Sequence, residues 1–300
     1  MWIRGALLTA FLLGLAGFVS AVRDDRPVLA GTAVALAHAA LAGYAALTSA
    51  LTGRRRWPLA LGVLLVGLVL GATWWTASPS GWFAYSALDP AEMARQFEDR
   101  ALVRQRVLSI GQLAALICLA AALGRPRLRW HWLAAATLAA ATLAAGGWAV
   151  HRVVATVFEL DATRRESAGR TTGGGADLSP MVWSYLATWL YLAAAIVAVA
   201  AVVVAGQRGR GGWLAALGAG LLALASLAAA RDAAYYPQRW ASKGNVPAVV
   251  LEQTPTSPLT PLFEAPIGGA MLGTALFVAG CLWLGRRGPA MEAGRVTAAT

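Results

Sequence analysis

Residues 53–77 read GRRRWPLALGVLLVGLVLGATWWTA. Three arginines and a tryptophan open the stretch, about twenty residues without a charge follow, and Trp74 and Trp75 close it. Roughly 20 apolar residues in helical form cross the hydrocarbon core of a bilayer, about 30 Å thick. Backbone N–H and C=O groups find no water there, so they must bond within the segment, and the segment must be a helix.

The same kind of run recurs along the chain. Eight stand out, at about 5–22, 28–52, 58–77, 107–124, 132–151, 181–206, 213–230 and 266–285. Composition agrees: 58% of the 300 residues are hydrophobic and 13% charged, where a soluble domain carries about 25% charge. Disordered, collagen-like and disulfide-rich classes are excluded. The expected fold is all-α, a polytopic integral membrane bundle of about eight helices forming one domain over residues 1–300.

Charge sets the expected orientation. Three short connections are purely basic: Arg54 to Arg56; Arg125, Arg127 and Arg129; and Arg208 with Arg210. A tryptophan follows each, at Trp57, Trp130 and Trp213, suited to the headgroup level. With these loops in the cytoplasm and an even number of helices, both termini lie inside. The inner side then holds twelve arginines against Glu292 alone, which accounts for the whole net charge of +11. The excess is therefore an orientation signal, and no nucleic-acid partner is expected. The first run also fits a signal sequence with Val19-Ser20-Ala21 as its cleavage site, although an uncleaved first helix is the preferred reading.

The outer connections carry shape. Asp89-Pro90-Ala91-Glu92 has the pattern of a helix start, with Asp capping and Pro in the first position. From there one helix is expected over about 90–124, roughly 50 Å long. Its partner is expected over about 132–168 and stops at the glycines near 173–175. The other helices are expected to reach about 180–206 and 213–236. A helical hairpin formed by 89–106 and 152–178 would then project outside. Counting from Arg127, Arg95 and Glu159 both stand 32 residues away, with Glu92 and Arg164 at 35 and 37, so opposite charges meet at similar heights. Exposed pairs of this kind are worth about 0–1 kcal/mol each and would set register. The last outer connection, 237–265, contains five prolines and is expected to be an irregular loop.

Little points to chemistry. No Asp, Glu, Lys or Arg is expected mid-span, which argues against ion-coupled transport, voltage sensing and intramembrane aspartyl proteolysis. His38 is the mid-membrane polar candidate, either a helix-packing residue or a ligand. His131 and His151 stand about 15 Å from it in depth and do not form a haem pair with it. Cys118 and Cys281 lack metal spacing, so no metal or cofactor is implied. Gly67 with Gly71 and Gly269 with Gly273 mark close helix approaches. At the outer interface Arg104, Arg106, Arg152 and Arg231, beside Trp and Tyr residues, could bind a lipid phosphate or other anion. If a catalytic base exists, Asp232 and Asp99 are its candidates.

The favoured expectation is a non-catalytic multispanning component of a bacterial-type envelope complex, in the cytoplasmic membrane, partnered by lipid and by other membrane or extracytoplasmic subunits. The alternatives are a carrier for a lipid or amphiphile, an outer-face enzyme of lipid-phosphate or glycan transfer, and an accessory subunit of respiratory electron transfer.

Overall fold

The computed structural model describes residues 2–24, 26–48, 51, 53–76, 90–124, 141, 145, 146, 148, 152, 179–208, 212–242 and 265–296. Seven helices are bounded among the described residues: α1 Trp2–Arg23, α2 Pro27–Leu47, α3 Gly53–Thr76, α4 Pro90–Leu123, α5 Ser179–Gly206, α6 Gly212–Ser242 and α7 Ala265–Val296. All seven contain an apolar stretch long enough to cross a membrane. The chain is thus a polytopic helical bundle, with no strand among the described residues. The eighth expected helix, 132–168, falls mostly outside those residues. Within it Ala141, Ala145, Gly146, Trp148 and Arg152 are helical, and Gly146 lies against the Trp189 indole of α5.

Each helix packs on its neighbour in the chain, and α7 reaches back to touch α3 over a short stretch. Helices α3 to α7 therefore form a closed circuit, with α2 and then α1 attached to its side through α3. Only 11% of the α1 span is buried, against 50% for α2 and α3, so α1 is the peripheral helix. It is held by Phe18, fully buried, whose ring meets the Trp74 ring of α3 edge to face at 5.6 Å and 77°. Leu59, Val63, Val66, Leu119, Leu222 and Phe277 are fully or almost fully buried in the large core cluster.

Small residues permit the closest crossings. Gly67 and Gly71 of α3 face His38 and Gly31 of α2, and Gly273 of α7 faces Gly218 of α6. The α6–α7 crossing brings backbone against backbone: a Cβ on Gly218 would overlap the backbone of Phe277 and Gly273. A Cβ on Gly269 would meet the Leu221 carbonyl and Ala225 Cβ at ordinary contact distances of 3.4 and 3.5 Å. Helix α4 ends at Gly124, whose φ of +70° suits a residue without a side chain.

Two helices outrun their expected limits. Helix α6 continues through Pro237 to Ser242, past the expected end near 236, and α7 continues through Pro289 to Val296. Both prolines lie beyond the apolar spans, which end at Arg231 and Gly285, where water can serve the carbonyl that a proline leaves without a donor. The remainder of the Pro-rich connection, 243–264, lies outside the described residues.

Helix α4 is longer than the bilayer needs. Its apolar span is Gln105–Leu123, so Pro90–Arg104 extends roughly 15 residues, about 22 Å, past that span. The α6 residues after Arg231 extend at the same end, opposite the end that carries Arg54 to Arg56. Arg95, Glu92 and Asp99 lie on the α4 backbone, but their side chains are outside the described residues, as are Glu159 and Arg164 entirely.

Candidate functional site

The interior of the bundle carries a polar seam built on α4. Gln105, Ser109 and Gln112 are spaced four and three residues apart, which places them on one helical face. Gln105 donates through Nε2 to Ser184 Oγ of α5 at 2.6 Å. Ser109 Oγ donates to the Gln105 carbonyl at 2.6 Å, and Gln112 Nε2 donates to Ser226 Oγ of α6 at 3.2 Å. The Ser226 hydroxyl in turn donates to the Leu222 carbonyl at 2.9 Å. One helix is thereby tied to two others by uncharged groups. Gln105 Oε1 is enclosed without a hydrogen-bond partner among the described residues, a cost of about 1–3 kcal/mol for a buried acceptor.

The seam occupies only half of the α4 span. Further along, Ala115, Leu116, Leu119 and Ala122 are buried and apolar. The seam thus opens toward the projecting end of α4 and stops near mid-bilayer. Its amides and hydroxyls can hydrogen-bond neutral polar groups but carry no charge. A search restricted to titratable residues passes over these positions. The signal that would have found them is the four-then-three spacing of polar residues in an otherwise apolar run.

At the end of the seam, the Arg106 guanidinium lies over the Trp183 ring of α5, 4.2 Å from its centroid. Such a contact contributes about 0.5–2 kcal/mol according to its desolvation. Arg231 is exposed at the end of the α6 span. Leu108 and Ala230 share a small buried cluster, which brings Arg106 and Arg231 to nearly the same level. Arg152 lies over its own helical neighbour Trp148, 5.7 Å from the ring centroid. Arg104 and Asp232 are on helical backbone with side chains outside the described residues. Arg106 is thus held by a ring from another helix.

His38 is buried in α2 against Gly67 of α3. Its Nδ1 lies 2.8 Å from the Val34 carbonyl, which can only accept, so Nδ1 carries the proton and Nε2 the lone pair. Among the described residues no group of three or more His, Cys, Asp or Glu side chains could hold a metal ion. Cys118 and Cys281 are free thiols on separate helices.

Seven apolar spans and a helical interior define the class: an integral, multi-pass helical membrane protein. Compared with protein-family models, curated proteins and solved structures, the chain finds no match.

Proposed function

We propose that this protein is a non-catalytic multispanning component of an envelope complex in a bacterial-type cytoplasmic membrane, with both termini inside, presenting its projecting end to an extracytoplasmic partner. The observation that carries this reading is the continuation of α4 over Pro90–Arg104, past the apolar span. An isolated helix of this length is marginal in water, so a helix that leaves the bilayer for some four turns needs a surface to lie against. Met93, Phe97 and Ala101 recur every four residues there and share one helical face with Arg100 and Arg104, while Glu92, Arg95, Glu98 and Asp99 lie off it.

Purification in a mild detergent after crosslinking tests the proposal. A partner subunit should accompany the wild-type chain and be lost from the double variant Met93→Asp/Phe97→Asp, while thermal unfolding of the bundle stays unchanged. A stable monomer that crosslinks to nothing sinks the reading.

The seam favours a second reading, a carrier for a lipid or amphiphile, because it offers hydrogen bonds inside the bundle. Its ending near mid-bilayer places this second. Lipid movement between leaflets of reconstituted vesicles, abolished by Gln112→Leu, is the result that would reverse the order.

A further inference from the structure

The lipid-facing surface of the bundle is bounded at both ends by residues suited to headgroup level. On α3 the exposed residues Trp57, Leu61, Leu68 and Trp75 follow at steps of four, seven and seven, along one helical face. On α6 the same steps give Trp213, Leu217, Leu224 and Arg231, again all exposed. Each stripe opens on an indole and closes on an indole or a guanidinium, with no charged residue between. The ends of a stripe are 18 residues apart, five turns, or about 27 Å along the helix. Helices α4 and α7 run the other way and repeat the measure. Arg106, Ile110 and Ile117 are exposed on α4, which gives way to Gly124 at φ +70°, 18 residues after Arg106. On α7, Leu272, Ala279 and Trp283 are exposed, and Trp283 stands 18 residues after the first residue, Ala265.

The helix crossings set these ends level. Gly62 of α3 lies against Leu119 of α4, and Gly111 of α4 against Val69 of α3. Counting outward from those contacts brings Trp57 beside Gly124 and Trp75 beside Arg106, each within a residue. Gly280 of α7 lies against Ala215 of α6, and Gly218 of α6 against Phe277 of α7, which brings Trp213 beside Trp283 and Arg231 beside Ala265 with the same precision. The Gln112–Ser226 hydrogen bond joins the two helix pairs. Gln112 stands six residues from Arg106 and Ser226 five from Arg231, so both pairs share one level. Four helices therefore end their lipid-facing stripes on two common levels five turns apart.

The helical rise makes about 27 Å an upper limit for the belt, because any tilt of the helices shortens it along the membrane normal. An average hydrocarbon core is about 30 Å thick. We infer that the apolar belt of α3, α4, α6 and α7 fits a thin bilayer, with a hydrocarbon core of about 27 Å or less, and that its lateral partner is lipid with correspondingly short acyl chains. A thicker core would draw the indoles and Arg231 into hydrocarbon or oblige the lipid around the bundle to thin. The α5 span, 24 residues long, reaches the same two levels by tilting. The inference rests on the spans and their crossings and is independent of the partner proposed above.

The test reconstitutes the full chain in phosphatidylcholine vesicles of graded acyl length, with hydrocarbon cores of about 23, about 27, about 30 and about 34 Å, and reads the thermal unfolding midpoint by circular dichroism. The midpoint should be highest in one of the two thinner cores and fall toward the thickest. A midpoint that is highest in either of the two thicker cores, or that does not vary, overturns the inference. A variant ties the preference to the indoles: Trp57→Leu/Leu61→Trp combined with Trp213→Leu/Leu217→Trp moves two of them one turn along their stripes, about 6 Å. All four side chains are exposed on the lipid-facing stripes, so the exchange spares the helix crossings. It should raise the midpoint in the thinnest core relative to that in the core of about 30 Å, and an unchanged difference overturns the role of the indoles. Should the exchanged chain fail to fold, the wild-type series decides by itself.

Discussion

Gln112 of α4 donates to the Ser226 hydroxyl of α6 across 3.2 Å, joining helices whose main shared neighbour is α5. In lipid the hydrophobic effect does not hold helices together, so close packing and such hydrogen bonds fix which faces meet. Gln112 and Ser226 are both buried, so neither can turn to water when its partner is removed.

The first prediction concerns that bond. Gln112→Leu and Ser226→Ala should each destabilise the bundle, and the double variant should lose less than the sum of the two. A double-mutant cycle of unfolding in detergent should give a coupling of about 0.6–1.7 kcal/mol, the range for interhelical bonds in membranes. Strict additivity would show that the pair contributes no cross-helix interaction.

The α6–α7 crossing predicts a contrast between two nearby glycines. A side chain on Gly218 meets the backbone of Phe277 and Gly273, which cannot rotate aside. Gly218→Val should cost at least the 1–3 kcal/mol typical of overpacking, read as a lower unfolding midpoint. On Gly220 the nearest neighbour is Val202 Cγ2 at 3.9 Å, an ordinary contact. Gly220→Ala should therefore be neutral or stabilise by about 0.5–1 kcal/mol, the helix advantage of Ala over Gly. Equal losses at both positions would contradict the crossing.

Gly124 tests how α4 ends. With φ at +70°, Gly124→Ala should cost about 1–2 kcal/mol, since a Cβ is disfavoured in the left-handed region and would also crowd Arg55 at 3.3 Å. Gly124→Asn should cost less, because Asn tolerates this conformation better. Thermal unfolding of the three proteins ranks them Gly, Asn, Ala; an Ala variant as stable as the parent removes the argument.

The helices were legible because bilayer thickness and backbone hydrogen bonding leave a long uncharged run almost no other conformation. The start of α4 at Pro90 was legible for a local reason, the capping pattern at Asp89. The passage of α6 through Pro237 was not, because a proline's cost depends on whether water or lipid surrounds the carbonyl it leaves free. His38 was conspicuous as a lone titratable group, and its pairing with Gly67 depends on the α2–α3 crossing, which no local pattern specifies. The polar seam escaped because Gln and Ser are individually unremarkable in a helix. Their meaning comes from α5 and α6 bringing Ser184 and Ser226 to the same face.

The last prediction joins the length of α4 to the proposed orientation. In a chain with Cys118→Ala and Cys281→Ala, single cysteines should report by their reaction with a membrane-impermeant thiol reagent on intact cells. Ala94→Cys lies in Pro90–Arg104, past the apolar span, and should react from outside. Ile117→Cys sits mid-span on a face 51% exposed in the protein alone, where lipid covers it, and should not react. Gly206→Cys, at the arginine end with no atom within 4 Å of a Cβ there, should react only after the cells are permeabilised. Reaction at Gly206→Cys but not at Ala94→Cys in intact cells would invert the orientation drawn from the arginines. Protection of Ala94→Cys under both conditions, with Gly206→Cys behaving as expected, would mean that this part of α4 is covered by a partner or by lipid. Repeating the reaction on purified monomer in detergent separates those two, because a partner lost on purification restores labelling whereas burial in the detergent belt does not.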